Sequence, residues 1–261
     1  MIAGHSIWAV ALICAGVFLA SVVDAIGGGG GLISLPVYLL AGLPTHQALG
    51  TNKLSACLGT VASTARYVKN GFVDWGLALP SIALAIVGAH FGTSLQLAVN
   101  ERYLRYVLIV VLLAVAAVML KKKDFPETPG VIGRRKQCLI VWSCALVVGL
   151  YDGFYGPGTG TFLLIAFCRL AKMDLRTASG NVKVVNLSSN VGALATSLMA
   201  GKVLVPIGLI AAVFALLGHW LGAGLMLKNG SKLVTPVIFT VLTLLLARIV
   251  LELLGVPGFG A

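Results

Sequence analysis

Charged residues are scarce in this sequence: they make up 10% of 261 residues, whereas soluble domains carry about 25%. Hydrophobic residues make up 59%, and the mean hydropathy is +1.01. Several apolar stretches reach 18 or more residues, among them 7–26, 77–99 and 103–120, a length typical of membrane helices and greater than that of barrel strands. The composition excludes a soluble domain and predicts an all-α, polytopic protein in a lipid bilayer.

Motifs for catalysis, metal binding and nucleotide binding are missing. The five cysteines form no Cys-x-x-Cys pair and the four histidines are dispersed, so we predict no metal site and no cofactor. Neither glycine-rich run is followed by Gly-Lys-Ser/Thr, which argues against a phosphate-binding loop. No nucleophile–base constellation is visible, so we predict no catalytic residues and no enzyme activity.

An excess of acidic residues is also absent, and the formal net charge is +11. The basic residues lie between hydrophobic segments, as expected of loop charges that orient a membrane protein, so we predict no nucleic-acid partner. Residues 1–20 have no positively charged beginning, so the first apolar segment is interpreted as a membrane helix and not as a cleaved signal.

Two glycine-rich interruptions of apolar sequence organise the chain. The first is Asp24-Ala-Ile-Gly-Gly-Gly-Gly-Gly-Leu-Ile-Ser-Leu-Pro36, and the second is Asp152-Gly-Phe-Tyr-Gly-Pro-Gly-Thr-Gly-Thr-Phe162. Each glycine costs a helix about 1 kcal/mol relative to alanine. Non-helical backbone persists within a membrane only where it is buried in protein or lines a cavity. Two breaks in corresponding positions of two halves therefore indicate a transporter's binding site.

The two halves repeat one pattern. We predict a first transmembrane repeat over 1–120, a polar linker over 121–136 and a second repeat over 137–261. A shift of 130 residues places Lys53 on Lys183 and aligns three glycine pairs: Gly71 with Gly201, Gly88 with Gly218, and Gly92 with Gly222. The last two pairs form small-xxx-small patterns, which favour close helix packing. Predicted helices cover 6–26, 46–69, 75–98, 103–120, 137–155, 177–200, 203–227 and 232–254, with short segments at 32–43 and 160–172.

The distribution of basic residues favours an inverted repeat. If the short segments cross the membrane, each half has five spans, and thirteen basic residues lie on the linker side against three on the other. If they are re-entrant, the halves run parallel and the count becomes nine against seven. The positive-inside rule therefore predicts a cytoplasmic linker and both termini outside.

The candidate site consists of the breaks and the polar residues near two lysines. Charge within a span is costly and is by default functional, so we predict that Asp24 and Asp152 couple protons. Glycine-rich breaks present backbone N–H groups to anions at the start of the next helix. The predicted substrate-binding residues are Gly28, Gly29, Gly30, Gly31, Thr51, Asn52, Lys53, Gly156, Gly158, Thr159, Gly160, Asn181, Lys183 and Asn186. A purely structural alternative pairs Asp24 with Lys53 and Asp152 with Lys183.

These breaks, together with Thr51-Asn-Lys-Leu54, resemble the TauE/SafE sulfite-exporter family. The run Tyr151-Asp-Gly-Phe-Tyr-Gly-Pro-Gly-Thr-Gly160 is most similar to its YfcA-like branch. The resemblance covers nearly the whole chain and implies a multi-pass transporter of the bacterial inner membrane for small sulfur-containing or organic anions.

We therefore expect a secondary transporter of a small anion such as sulfite, a sulfonate or a carboxylate, coupled to protons. An anion channel and a polytopic membrane enzyme are the alternatives. The expected partners are the anion and the bilayer, and the sequence leaves the oligomeric state open.

Overall fold

The computed structural model describes residues 6–100 and 128–230, together with positions 232, 233, 236 and 237. The helices of the first half are α1 (Ile7–Gly27), α2 (Gly31–Leu40), α3 (Thr45–Lys69) and α4 (Trp75–Ala98). Those of the second half are α5 (Arg134–Phe154), α6 (Thr159–Arg169), α7 (Leu175–Met199) and α8 (Val205–Asn229). The predicted helix at 103–120, and most of that at 232–254, lie outside the described residues.

The prediction of a helical membrane protein is confirmed. Within the described residues, four helices, α1, α4, α5 and α8, are long and apolar enough to cross a bilayer. Helices α3 and α7 have 25 residues each but bury many polar side chains, including both lysines. Helices α2 and α6 are short, with 10 and 11 residues, as the breaks predict. The long apolar helices therefore surround two polar ones.

The helix packing repeats between the halves. Helix α1 of the first half packs on α8 of the second, and α5 packs on α4. Likewise α3 packs on α8 and α7 packs on α4, while α3 and α7 contact each other. Exchanging the two halves leaves this pattern unchanged, so the sequence repeat extends to tertiary structure.

Four repeat-related glycines bring these helices into close contact, as predicted. A Cβ atom on Gly88 or Gly92 of α4 would lie 2.3 Å from Leu146 O or 2.0 Å from Leu150 O of α5. A Cβ atom on Gly218 or Gly222 of α8 would lie 2.5 or 2.4 Å from carbonyl oxygens of α1. Only glycine permits this backbone approach, which is the role that small residues play between membrane helices.

We expect Gly92→Ala and Gly222→Ala each to destabilise the protein by about 1–3 kcal/mol, because the added methyl group forces packed backbones apart. Thermal unfolding in detergent measures the effect. Gly133→Ala is the control, since its added methyl group would meet no packed atom within 4 Å. Equal losses from all three variants would contradict this packing role.

At two places in the fold, a hydrogen bond joins the start of one helix to a loop between two others. The start of α5 lies beside the α6–α7 loop, where Gly130 N–H donates to Lys172 O over 2.9 Å. The start of α3 lies beside the α7–α8 loop, where Leu204 N–H donates to Thr51 Oγ1 over 3.0 Å. Helices α3 and α7 are antiparallel, because Thr64 contacts Lys183 while Lys53 contacts Asn190. Because Gly130 precedes α5 and Lys172 follows α6, their hydrogen bond shows that the chain returns, at the end of α6, to the side where α5 began.

An ion pair joins the first residues of α4 and α5. Arg134 donates to both oxygens of Asp74, over 2.6 and 2.9 Å, and Asp74 also caps α4 by accepting from Gly76 N–H. These hydrogen bonds from Arg134 hold the pKa of Asp74 below its ordinary value. The pair contributes stability only while Asp74 is ionised.

We expect the contribution of this pair to disappear in acid. Because the pKa of Asp74 is lower in the folded state, its contribution is complete above the unfolded value of about 3.9 and is lost as the pH falls through the folded value. Asp74→Asn keeps an N-cap residue and removes the charge. The difference in melting temperature between wild type and Asp74→Asn should be small at neutral pH and should approach zero in acid. A difference that grows in acid would contradict the assignment.

Candidate functional site

The two glycine-rich breaks meet in the interior. Gly28, with a left-handed φ of 78°, packs so closely on the second break that a Cβ atom there would lie 2.3 Å from Thr161 N. Thr161 Oγ1 in turn donates to Gly27 O over 2.9 Å. A Cβ atom on Gly31 would lie 3.1 Å from Pro157 Cα. The starts of α2 and α6 are therefore held together.

A polar cavity of about 50 Å³ lies between the breaks and the polar helices. A cavity needs about 10–15 Å³ to hold one water, so this space suits a few waters or one small solute. The cavity is lined by Val17, Ala20, Ser21, Asp24, Gly30, Gly31, Ser34, Asn52, Lys53, Ser55, Ala56, Thr60, Asp152, Gly156, Thr159, Gly160, Asn186, Asn190 and His219.

Lys53 of α3 is paired with Asp152 of α5. Lys53 Nζ lies 2.9 Å from Asp152 Oδ1 and donates to Asn190 Oδ1 over 3.1 Å. Asp152 also accepts from Thr159 Oγ1 over 2.9 Å and from Ser189 Oγ over 2.7 Å. Both carboxylate oxygens thus have partners, and the side chain is only 3% exposed.

Lys183 of α7 is paired with Asp24 of α1. Lys183 Nζ donates to Asp24 Oδ2 over 2.9 Å and to Asp24 O over 2.5 Å. Asp24 Oδ1 accepts from Gly30 N–H, the N-cap residue of α2, over 3.1 Å. The Asp24 side chain is 16% exposed, so it is more open than Asp152.

The structural alternative, which paired Asp24 with Lys53 and Asp152 with Lys183, is wrong in its choice of partners. Each lysine pairs with the aspartate of the other half, because α3 and α7 pack on each other and each lysine side chain reaches across to the opposite break. The two ion pairs tie the halves together across the cavity. Such buried pairs are strongly destabilised by removal of one partner, since the other charge is then stranded.

His219 of α8 forms a third contact with Asp24. Its Nε2 atom lies 3.9 Å from Asp24 Oδ2, and its Nδ1 atom lies 3.1 Å from Ser63 Oγ. The side chain is buried, yet the residue lines the cavity. Dispersed histidines gave no indication of this role in the sequence. The clue available was a polar residue in an otherwise apolar span, beside the packing residue Gly218.

The structure brings ten of the sixteen predicted site residues together around the cavity: Asp24, Gly30, Gly31, Asn52, Lys53, Asp152, Gly156, Thr159, Gly160 and Asn186. The other six do not line it: Gly28, Gly29, Thr51, Gly158, Asn181 and Lys183. Gly28 packs against the second break, and Thr51 accepts a hydrogen bond from the α7–α8 loop. Lys183 is hydrogen-bonded to Asp24. Asn181 is buried and donates to Thr177 O within its own helix. Several small hydroxyl residues of the lining, such as Ser21, Ser34, Ser55 and Thr60, were not predicted.

The charges around the cavity balance. Two lysines face two aspartates, so the cluster has no net charge when all four are ionised and His219 is neutral. The backbone dipoles at the starts of α2 and α6 add positive potential on the same cavity. Amides and hydroxyls supply further donors. In the part of the chain that the structure describes, no group of three or more His, Cys, Asp or Glu side chains could hold a metal ion.

The family model described as Sulfite exporter TauE/SafE matches residues 12–249. The chain belongs to the TauE/SafE family. The matched range includes both breaks and both lysines, and the predicted family membership is confirmed.

Similar proteins in this family carry transporter names. The chain is 34% identical over 237 residues to the probable membrane transporter protein ORF9 of Sinorhizobium sp., covering 90% of each chain. It is 32% identical to the probable membrane transporter protein YfcA of Escherichia coli K12, covering 90% of this chain and 87% of the relative. A probable membrane transporter protein of Haemophilus influenzae is 31% identical, with 92% and 94% covered. No solved structure gives a significant match. TauE/SafE membership and four apolar helices make the chain a multi-pass membrane protein.

Proposed function

We propose that this TauE/SafE protein is a secondary transporter of a small anion in the bacterial inner membrane. Sulfite, organosulfonates and related sulfur-containing or organic anions are the proposed substrates. The description of the family as sulfite exporters supports a sulfur oxyanion, and the names of the relatives support transport over catalysis.

The observation that carries this proposal is the small polar cavity between the two breaks. It combines the Lys53 ammonium group, the amides of Asn52, Asn186 and Asn190, and the starts of two short helices. Each of these supplies hydrogen-bond donors to an oxyanion. The cavity volume of about 50 Å³ favours a compact ion over a large one.

Charge balance supports coupling to protons. With Lys53, Lys183, Asp24 and Asp152 ionised, the empty site is neutral, and a bound monoanion would leave one buried negative charge. Burying an uncompensated charge is costly. A proton on an aspartate restores neutrality, so the anion and one proton bind together more favourably than either binds alone.

We also propose that the two halves are inverted relative to each other. An inverted repeat places the α5 start with the α6–α7 loop on one membrane side, and the α3 start with the α7–α8 loop on the other. The hydrogen bonds between Gly130 and Lys172 and between Leu204 and Thr51 support this grouping. A parallel repeat would separate the members of each group.

Cysteine labelling in whole cells tests the topology. In a cysteine-free background, a membrane-impermeant thiol reagent should label Lys202→Cys in the α7–α8 loop and should not label Asn70→Cys after α3. The parallel arrangement places both positions inside. Protection of both cysteines, with labelling of each after the cells are opened, would therefore contradict the inverted arrangement.

Ligand screening and flux measurements test the transport function. Purified protein should melt at higher temperature with sulfite, thiosulfate, methanesulfonate or acetate if one of them binds the folded state. A ligand concentration of 100 times Kd stabilises the folded state by about 2.7 kcal/mol. In proteoliposomes, uptake of radiolabelled sulfite should saturate and should respond to an imposed pH gradient. Flux without saturation would instead indicate a channel, and neither a thermal shift nor flux for any of the four anions would contradict the proposal.

A further inference from the structure

We propose that the coupling proton binds at Asp24, beside the base His219, and that the Lys53–Asp152 pair stays ionised throughout transport. This inference rests on the proposed transport function and deepens it, since the repeat alone makes Asp24 and Asp152 equivalent. Their surroundings in the fold are different.

Protonation of the Asp152 carboxylate is energetically unfavourable. Its two oxygens lie within 2.9 Å of Lys53 Nζ, Thr159 Oγ1 and Ser189 Oγ, and the side chain is almost completely buried. Each hydroxyl also contacts a backbone carbonyl oxygen, that of Gly156 or Asn186. Protonation of either aspartate gives up an ion pair with a buried lysine. Protonation of Asp152 would in addition weaken its hydrogen bonds with two side-chain hydroxyls, which Asp24 does not have among the described residues.

Asp24 is bonded less completely and is open to the cavity. Oδ2 accepts from Lys183, and Oδ1 accepts from one backbone N–H group, that of Gly30. Its side chain is 16% exposed, whereas that of Asp152 is 3% exposed. Both carboxylates line the cavity, and Asp24 is the more accessible of the two to a proton that arrives there.

His219 places a second base next to Asp24. The Ser63 hydroxyl has one proton and two partners, Thr60 O at 3.0 Å and His219 Nδ1 at 3.1 Å. A carbonyl oxygen can only accept, so we assign the hydroxyl proton to Thr60 O and an Nδ1–H donor to His219. His219 Nε2 then carries a lone pair 3.9 Å from Asp24 Oδ2, so it accepts a hydrogen bond from a protonated Asp24 once the two side chains move about 1 Å closer.

The remaining groups around Asp24 keep this proton site distinct. Among residues 6–100 and 128–230, the titratable groups that the structure places in contact with Asp24 are Lys183 on α7 and His219 on α8. Helix α2 contributes the Gly30 N–H group, and α6 contributes Thr159 and Gly160 to the same cavity. Lys53 from α3 and Asp152 from α5 also line the cavity, where they form an ion pair with each other.

The proposed step is a proton transfer without a covalent change. A proton that enters through the cavity binds the Asp24 carboxylate, and the His219 Nε2 lone pair accepts a hydrogen bond from it once the two side chains approach. Asp24 becomes neutral, its repulsion of an incoming anion ends, and the Lys183 charge is no longer balanced. An anion that binds at Lys53 and the neighbouring amides then restores neutrality, and release of the anion favours release of the proton.

Infrared difference spectroscopy tests which carboxyl group is protonated. Wild-type protein in lipid should gain the carbonyl band of a protonated carboxylic acid as the pH is lowered. This band should be lost in Asp24→Asn and unchanged in Asp74→Asn, a control for surface carboxylates. His219→Gln should shift the band or its midpoint, because the second base is gone. Methanesulfonate, a strong-acid anion that does not itself titrate, should move the midpoint to higher pH, and its affinity should fall about tenfold per pH unit above that midpoint.

A band that persists in Asp24→Asn and responds to Ser189→Ala would assign the proton to Asp152 and overturn the inference. Ser189→Ala removes one hydrogen bond to Asp152 and leaves every charge in place, so it serves even if Asp152→Asn does not fold. Absence of any carboxyl band over the pH range in which the protein stays folded would also overturn it. The two proposals fail separately: a band that titrates at Asp24 without binding or flux of methanesulfonate and sulfite would count against the transport proposal alone.

Discussion

Replacing Lys53 by methionine should lower the free energy of unfolding by about 3–5 kcal/mol. The substitution strands the Asp152 carboxylate, which is 3% exposed and has Thr159 and Ser189 as its remaining hydrogen-bond partners. Reversible unfolding in mixed micelles, or the melting temperature in one detergent, measures the loss.

Two further variants identify the cause. Lys183→Met should cost less, because its partner Asp24 faces the cavity and can be solvated or protonated there. The double variant Lys53→Met/Asp152→Asn removes both charges and should recover much of the stability lost by Lys53→Met. If Asp24→Asn restored Lys53→Met and Asp152→Asn did not, the pairing between the halves would be wrong.

Replacing Ala56 by leucine should reduce anion transport by about 100-fold or more, equivalent to about 2.7 kcal/mol of lost binding. Ala56 lines the cavity one turn after Lys53 and Asn52, and a leucine there occupies the space proposed for the anion. The change adds no charge, suits a helix and removes no side-chain hydrogen bond. Initial rates of sulfite uptake at equal amounts of folded protein measure the effect.

Ala65→Leu is the matched control for this substitution. Ala65 lies on the same helix, but on its exposed face, so the larger side chain enters no cavity. This variant should transport as wild type does. Equal rates for Ala56→Leu and Ala65→Leu, with both proteins folded, would show that the anion does not use this cavity.

Local sequence predicted the helices and the breaks because both depend on nearby residues. Long apolar runs define α1, α4, α5 and α8, and glycine clusters mark where α2 and α6 must begin. The roles of Gly88, Gly92, Gly218 and Gly222 also followed from spacing, since four residues separate successive contacts on one helix face.

The partners of the charged residues could not be read from the sequence. Asp24 lies closer in sequence to Lys53 than to Lys183, and no local pattern shows that the lysine of each polar helix reaches the break of the other half. His219 was missed for a related reason: a single histidine acquires a role only when tertiary packing places Asp24 and Ser63 on its two nitrogens. The breaks predicted where the site would be, and the packing of helices from both halves decided which side chains complete it.

The most direct test of the proposed site is an experimental structure of the protein with selenite, a heavier analogue of sulfite whose selenium scatters anomalously. We predict an anomalous peak inside the cavity, within hydrogen-bond distance of Lys53 and of Asn186 or Asn190, and loss of that peak in Ala56→Leu. Peaks confined to the basic loops, with the cavity free of selenium at a concentration that raises the melting temperature, would contradict the account.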